Sequence, residues 1–185
     1  MIGWIMERET MAQNDAAIAA LELRPHERVL EIGHGPGRAL ERIAALVPHG
    51  FVAGIDHSAD MHAVAAARCA RLIDERSVEL QVGDSCALPY ADATFHKALA
   101  VHTLYFWNDA LAHLREAHRV LRRDGVLVLG FRPAHDPHSA DFPTSVYTFY
   151  SPDAVAVLLR AAGFADVAIG EPLPGLVLAR AFKRA

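Results

Sequence analysis

Cysteine is scarce in this 185-residue sequence, which contains only Cys69 and Cys86. Two cysteines provide no disulfide framework of the kind that stabilises small secreted domains, and neither belongs to a zinc-ligand pattern. Long apolar runs are also missing, since none approaches the ~18 residues of a membrane span. The first fifteen residues lack a basic stretch followed by an apolar one, so we expect no signal peptide. We therefore predict a cytoplasmic protein that makes no membrane contact.

An excess of positive charge is absent as well. Lys and Arg total 18 against 22 for Asp and Glu, which gives a formal charge of −4. A dedicated nucleic-acid-binding protein carries a basic surface, so this balance disfavours nucleic acid as a partner. His135 and His138 form an H-x-x-H among prolines, but no third ligand lies at a metal-site spacing, so we predict no metal site. The sequence gives no indication of the oligomeric state.

The chain has neither internal repeats nor a low-complexity linker, and its length fits a single domain over residues 1–185. Short aliphatic runs alternate with helical apolar periods, a pattern typical of a parallel sheet with helices on both faces. We predict strands at 28–32, 51–56, 78–82, 95–101, 126–131, 167–170 and 176–181.

Two of the intervening helices carry specific expectations. One is predicted to begin at the cap Ser58 and to bury Met61, Val64, Ala65 and Leu72. Another, with its apolar stripe at Leu111, Leu114, Ala117 and Leu121, is predicted to end at residues 123–125, where Gly125 permits a left-handed exit.

Ligands of such sheets bind at the carboxyl ends of the strands, because right-handed crossovers bring all the strand-to-helix loops to that edge. The sequence therefore predicts five candidate binding loops, at residues 32–38, 56–61, 83–90, 102–108 and 132–150.

The turn after the first strand reads Gly33-His34-Gly35-Pro36-Gly37. Glycines at alternate positions let the backbone turn tightly and let a ligand approach the main chain. The dinucleotide fingerprint G-x-G-x-x-G places its third glycine one position later, where this sequence has Arg38. Taken alone, the turn is also compatible with close helix–strand packing.

Three acidic residues, Glu31, Asp56 and Asp84, are predicted at the same edge. A carboxylate at the tip of a buried strand is costly unless it is paired, so Glu31 favours a cationic ligand over a pyrophosphate, or else caps the next helix. Asp56 is placed either to bind a ribose diol or to serve as a turn residue ahead of Ser58. A positively charged adenosine compound would relieve the repulsion among the three acids.

These motifs resemble those of the class I S-adenosylmethionine-dependent methyltransferases. Residues 29–37 resemble the first motif of that family, 54–56 the acid that ends the second strand, and 83–90 the segment beside the adenine. Residues 119–127 and 150–164 resemble later segments, so the resemblance covers nearly the whole chain. Within the superfamily, the sequence is most similar to the small-molecule, quinone-biosynthesis-like branch.

The resemblance implies a three-layer Rossmann-like α/β fold with a seven-stranded, mostly parallel sheet. Its last strand is expected to be antiparallel and to lie between the fifth and the sixth. The implied cofactor is S-adenosylmethionine, with Glu31 and the 33–37 backbone at its methionine part and Asp56 at its ribose. Asp84 and the Ser85 amide are expected at the adenine edge. The cofactor-binding residues that the resemblance implies are Glu31, Gly33, His34, Gly35, Gly37, Asp56, His57, Met61, Asp84, Ser85 and His102.

Three of these assignments have alternatives. His57 and Met61 are candidates to flank the adenine ring, although Met61 is also compatible with a core position. The His34 side chain is expected to contact either the ligand or solvent. His102 is a candidate to orient the methionine end of the cofactor.

The expected reaction is methyl transfer to a small, partly apolar organic acceptor. His102 and Tyr105 are the candidate catalytic residues, with a structural role as the alternative for each. We expect a helical segment at 1–24, including Trp4, Met6 and Asn14, to cover the cleft. The aromatic segment 132–150 is expected to form a lid over the acceptor.

Two other functions fit the same fold. One is a non-catalytic module that binds the cofactor or a partner. The other is an NAD(P)-dependent reductase, which Arg38 and Glu31 disfavour because glycine and an apolar residue would be expected at those positions.

Overall fold

Seven strands and six helices build the part of the chain that the structure describes. The computed structural model describes the backbone of residues 2–184 and the side chains of residues 11–184. The strands are β1 (Arg28–Ile32), β2 (Phe51–Asp56), β3 (Val78–Val82), β4 (Phe95–Val101), β5 (Leu121–Phe131), β6 (Ala165–Leu173) and β7 (Leu176–Phe182). The helices are α1 (Ile2–Leu21), α2 (Arg38–Leu46), α3 (Ala59–Arg68), α4 (Ala70–Asp74), α5 (Ala110–Val120) and α6 (Pro152–Ala161), with 3₁₀ turns at Leu104–Phe106 and Pro137–Asp141.

The strands form one sheet in the order β3-β2-β1-β4-β5-β7-β6. β1 to β5 pair in parallel, whereas β7 is antiparallel to both of its neighbours, β5 and β6. The predicted fold class is confirmed, including the insertion of the last strand between the fifth and the sixth. The strand order reverses between β1 and β4, which is where ligands of such sheets bind.

Successive residues of β1 pack on opposite sides of the sheet, because side chains alternate along a strand. Leu30 and Ile32 belong to an apolar cluster with Leu114 of α5 and Leu159 of α6. Val29 belongs to a second cluster, which includes Ile18, Leu21, Leu40 and Ile43 from α1 and α2. Helices therefore cover both faces of the sheet, and β1 is buried from its second residue to its last.

Helix α3 begins as predicted, with the Ser58 hydroxyl accepting a hydrogen bond from the Met61 N–H at 3.2 Å. The predicted buried stripe is wrong in part. Ala65 is fully buried, but Met61 and Val64 are 37% and 45% exposed. The helix packs on β2 and on β3, which is the edge strand of the sheet, so only a narrow face of α3 is covered.

The predicted end of α5 also needs correction. The helix stops at Val120, and the left-handed residue is Asp124, with φ 61°, rather than Gly125. Glycine is needed at 125 for a different reason. A Cβ there would lie 2.7 Å from the Arg122 carbonyl oxygen, so the close approach of two backbone segments selects glycine.

No helix within residues 2–184 is both long and apolar enough to span a lipid bilayer.

Candidate functional site

A cavity of about 440 Å³ opens at the carboxyl ends of β1 to β4. Eight of the twelve residues that the sequence analysis singled out line it: Gly33, Gly35, Asp56, His57, Met61, Asp84, Ser85 and His102. The other four, Glu31, His34, Gly37 and Tyr105, are not among its lining residues. The sheet topology thus brings together loops that are far apart in the sequence.

The glycine turn supplies the floor of the cavity. Gly33, Gly35 and Gly37 all have positive φ, at 72°, 51° and 82°. A Cβ on Gly33 would lie 2.0 Å from Cγ2 of Thr103, so the turn is pressed against the loop after β4. A Cβ on Gly35 would meet nothing within 4 Å, which leaves the backbone there open to a ligand.

Asp56 joins the first two loops. Its Oδ2 accepts a hydrogen bond from the Gly35 N–H at 2.8 Å, and its Oδ1 accepts one from the Ser58 N–H at 2.9 Å. The carboxylate is only 7% exposed and faces the cavity. Because an ionised carboxylate offers about four acceptor sites, Asp56 can still accept two hydrogen bonds from a ligand.

Glu31 lies behind the turn, 6% exposed, and its Oε2 is buried without a hydrogen-bond partner. Burial, and secondarily the charge of Asp56, raises the pKa of Glu31 well above the ordinary range of a carboxyl group. A buried, unpaired carboxyl must hold a proton or gain a cationic partner.

The His34 side chain does not reach solvent, so that alternative is wrong, and it is not among the residues that line the cavity. The ring is 3% exposed and packs against Gly54, where a Cβ would lie 2.9 Å from its Cδ2. Its Nδ1–H donates a hydrogen bond to the Gly35 carbonyl at 2.8 Å. Burial lowers the pKa of the imidazole, which favours its neutral form. The glycine in the middle of β2 was the available signal for this packing.

Asp84 and Ser85 form the opposite rim. Asp84 Oδ1 accepts a hydrogen bond from the Cys86 N–H at 3.0 Å, and this bond is the largest of the effects that lower the pKa of Asp84. Ser85 is buried, and its Oγ lies 2.7 Å from Nδ1 of His113. The His113 ring is stacked on Trp107, with a centroid distance of 4.9 Å and an interplanar angle of 5°.

His113 lines the cavity, and the sequence analysis missed it. It is buried on the inner face of α5, between Ala110 and Ala117. A histidine at a position that the helical period predicts to be apolar was the available signal.

Negative charge lines the cavity. Among the residues described, its lining contains Asp56 and Asp84 but no Lys or Arg side chain. Phe106 and Trp107 add aromatic surface, which attracts cations. The site thus suits an uncharged or cationic ligand and disfavours one that carries several phosphates.

A protein-family model described as "Methyltransferase domain" matches residues 29–125, just over half of the chain. The chain belongs to this methyltransferase family. The predicted relationship to the class I methyltransferases that use S-adenosylmethionine is thereby confirmed.

Two relatives and one solved structure are similar to this chain. The chain is 37% identical to an uncharacterised 37.1 kDa protein of a Streptomyces fradiae transposon, over 73% of this chain and 40% of that protein. It is 32% identical to a demethylmenaquinone methyltransferase of Thermotoga maritima, over 70% of this chain and 53% of that enzyme. The chain therefore spans about half or less of these two relatives.

One solved structure shares the fold of this chain. It is phosphoethanolamine N-methyltransferase 2 of Haemonchus contortus, solved in complex with S-adenosyl-L-methionine. The match has a TM-score of 0.81 at 16% identity and covers 94% of this chain and 53% of that one.

Beside the cavity, His102 and Tyr105 belong to one hydrogen-bonded chain. The backbone N–H of Arg132 donates to the Tyr105 hydroxyl, which lies 2.9 Å from His102 Nδ1. The Oε1 of Gln13 can only accept a hydrogen bond, so Nε2 of His102, which lies 2.6 Å away, carries the proton and donates to it. In the neutral ring Nδ1 is then an acceptor, and the Tyr105 hydroxyl donates to it.

This arrangement leaves no free nitrogen on His102 to serve as a general base. Burial, reinforced by the charge of Arg132, lowers the pKa of His102 to about 4, and burial raises the pKa of Tyr105 to about 12. The geometry therefore favours the structural alternative for both residues.

The two expected covering segments of the methyltransferase lie beside the site. The hydrogen bond between Gln13 and His102 attaches helix α1 to the loop after β4. Asn14 is half-buried. The side chains of Trp4 and Met6 lie outside the described residues. In segment 132–150, Tyr147 packs on Phe106 with ring centroids 5.0 Å apart and on Phe142 at 4.9 Å. Phe106 is the member of this aromatic group that lines the cavity.

Proposed function

We propose that the chain transfers a methyl group from S-adenosylmethionine to a small, partly apolar organic acceptor, in the cytoplasm. The observation that carries this proposal is the cavity at the switch point of the sheet in a methyltransferase fold, whose lining, within the described side chains, holds two carboxylates and no Lys or Arg. The relative from Thermotoga maritima, named as a demethylmenaquinone methyltransferase, supports a small-molecule acceptor.

We assign the cofactor's parts to the residues that could hold them. Asp56 has two acceptor sites left for the ribose hydroxyls, and the rim at Asp84 and Ser85 offers polar groups to an adenine edge. His57 and Met61 lie at the mouth, where they can flank the ring. The unpaired Oε2 of Glu31 supports a nearby cationic group, such as the amino group of the methionine part.

S-adenosylmethionine supplies an electrophilic methyl group on a sulfonium, so the protein needs no covalent nucleophile. The chain's own contribution is to hold the acceptor in line and to keep water out. Correct placement of two reactants alone can be worth ~7–11 kcal/mol of the barrier. Because His102 and Tyr105 are fully hydrogen-bonded, we propose that they position the loop after β4 and do not accept a proton.

The acceptor is expected on the side of Phe106, between helix α1 and the segment 132–150. The Thr148 N–H donates to the Tyr105 carbonyl at 3.0 Å, so this segment is attached to the 3₁₀ turn beneath it. We propose that residues 1–24 and 132–150 close over the acceptor as walls of the single domain.

The test is calorimetric titration with S-adenosylhomocysteine, with NADH and NADPH as alternatives, on wild-type protein and on Asp56→Asn. We expect wild-type protein to bind S-adenosylhomocysteine and to bind neither NADH nor NADPH. The variant should lose at least tenfold in affinity, since about 1.5–3 kcal/mol is typical of a hydrogen bond to a charged group. Asp60→Asn, an exposed acid four residues along, is the matched control and should bind normally.

A second candidate is a cofactor-binding module without catalysis, which the absence of a free base on His102 favours. Incubation with methyl-labelled S-adenosylmethionine and a panel of small phenols, amines and thiols separates the two. Label in an acceptor supports the enzyme, whereas binding of S-adenosylhomocysteine without label transfer to any member supports the module.

A further inference from the structure

Three side chains of different chemistry converge at the rim of the cavity. Asp84 and Cys86 lie on the loop after β3, and His113 lies on α5. The Oδ1 of Asp84, the Sγ of Cys86 and the Nδ1 of His113 all lie within 4.8 Å of one another. The proposed methyl transfer gives Cys86 no role, and this residue is not among those that line the cavity.

The Asp84 and His113 atoms are spaced like two ligands of one ion rather than like hydrogen-bond partners. Asp84 Oδ1 and His113 Nδ1 are 3.6 Å apart, beyond the usual range of a hydrogen bond. Zinc binds oxygen and nitrogen ligands at about 2.0–2.2 Å in tetrahedral geometry, which separates two such atoms by roughly 3.3–3.5 Å. The two atoms are therefore close to the separation that a shared ion requires.

We propose that Asp84, Cys86 and His113 form a site for a thiophilic divalent cation such as Zn²⁺, and that the cation excludes the adenine part of the cofactor. The cation site stands on the geometry of the three side chains, whereas the exclusion rests on the proposed function. On binding, a metal–sulfur bond forms, the thiol proton leaves to solvent, and no electrons are transferred.

An ion can enter the site from solvent, but its binding must replace one hydrogen bond and one proton. Asp84 and Cys86 are exposed, so an ion can arrive directly from solvent and keep water in the fourth position. It must displace the Ser85 hydroxyl, which lies 2.7 Å from the same nitrogen of His113. It must also expel the thiol proton, because the hydrogen bond to Asp84 raises the pKa of Cys86.

The sequence analysis predicted no metal site because the ligands do not follow a recognisable spacing. Two of them are neighbours on one loop, but the third lies on a helix beyond β4. Only the tertiary fold brings His113 to the loop.

The site is tested by titrating cofactor-free protein with Zn²⁺ against a chromophoric chelator. We expect one tight equivalent on wild-type protein and at least tenfold weaker binding for Cys86→Ser and for His113→Gln. Mg²⁺ should not compete, because it prefers oxygen ligands. His138→Gln removes an exposed histidine that is paired with Asp141 elsewhere on the surface, and this control should bind Zn²⁺ normally. Equal Zn²⁺ affinity of wild-type protein and Cys86→Ser would overturn the site.

The exclusion is tested by repeating the S-adenosylhomocysteine titration with one equivalent of Zn²⁺. We expect the affinity of wild-type protein to fall at least tenfold and that of Cys86→Ser to stay unchanged. An unchanged affinity in wild-type protein that holds Zn²⁺ would overturn the exclusion. Failure of both proteins to bind S-adenosylhomocysteine without metal would contradict the proposed function and the exclusion, while the chelator titration still decides the cation site.

Discussion

At the scale of single residues, Gly33 combines backbone strain with steric overlap for any added side chain. Its φ of 72° is in the left-handed region, and a Cβ would lie 2.0 Å from the Thr103 methyl group. Gly35 has a similar φ of 51° but open space around it. Alanine at Gly35 therefore introduces backbone strain alone, whereas alanine at Gly33 introduces backbone strain and steric overlap.

We expect Gly33→Ala to lower the free energy of unfolding by about 3 kcal/mol or more, and Gly35→Ala by only about 1 kcal/mol, since strain alone costs roughly 1–2 kcal/mol. Urea denaturation measures both. Adding Thr103→Ser removes the clashing methyl group and should restore part of the loss in Gly33→Ala. The same addition to Gly35→Ala should bring no recovery, and equal effects in both backgrounds would contradict the steric explanation.

A second prediction for a single residue concerns His102 and the pH dependence of the free energy of unfolding. The folded pKa of His102, about 4, lies below the ordinary histidine pKa of 6.5, so the unfolded chain binds its proton first as the pH falls. The stabilisation is thus complete above about pH 6.5 and declines between about pH 6.5 and 4. By roughly pH 5 the loss reaches about 2 kcal/mol.

His102→Asn isolates this effect, since asparagine tolerates the left-handed φ of 57° and does not titrate. The difference in unfolding free energy between wild type and variant should be constant from about pH 7 to 8 and should shrink on acidification. A difference that stays constant down to about pH 5 would show that His102 keeps an ordinary pKa.

At the scale of secondary-structure elements, the Tyr105 hydroxyl connects three segments. Through His102 and Gln13 it reaches α1, and through the Arg132 N–H it reaches the end of β5. Tyr105→Phe leaves two buried polar groups without their partner, so we expect a loss of about 1–3 kcal/mol in the free energy of unfolding.

The same variant tests whether Tyr105 is a positioning or a catalytic residue. Loss of a catalytic hydroxyl would change kcat and its pH profile, whereas a positioning role predicts a raised KM for the acceptor with the pH profile unchanged. Phe149→Leu removes an aromatic neighbour of Tyr105 while leaving the hydrogen bonds in place, and it serves as the packing control.

The secondary-structure elements differ in how well the sequence predicts them. The strands and the cap at Ser58 were predictable because apolar alternation and capping are local signals. The end of α5 was not, since the need for glycine at 125 comes from the Arg122 carbonyl and not from a helix cap. His113 and the position of His34 depend on contacts between distant segments, which a single sequence does not display.

At the scale of the whole molecule, occupancy of the cavity should stabilise the entire fold. The cavity joins the loops after β1, β2, β3 and β4, so a ligand that bridges them resists the separation of these strands. A ligand at 100 times its Kd that binds only the folded state adds about 2.7 kcal/mol. In a chain of this length, each kcal/mol corresponds to roughly 2–4 °C in Tm.

We therefore expect S-adenosylhomocysteine at that concentration to raise Tm by about 5–11 °C, as measured by calorimetry. NADH and NADPH should leave Tm unchanged, because their phosphates would lie beside Asp56 and Asp84 with no Lys or Arg in the described lining to offset the repulsion. Asp56→Asn, with at least tenfold weaker binding, should lose about half of the shift or more, while Asp60→Asn retains it. A rise with NADPH equal to that with S-adenosylhomocysteine would mean that the negative charge of the cavity does not select its ligand.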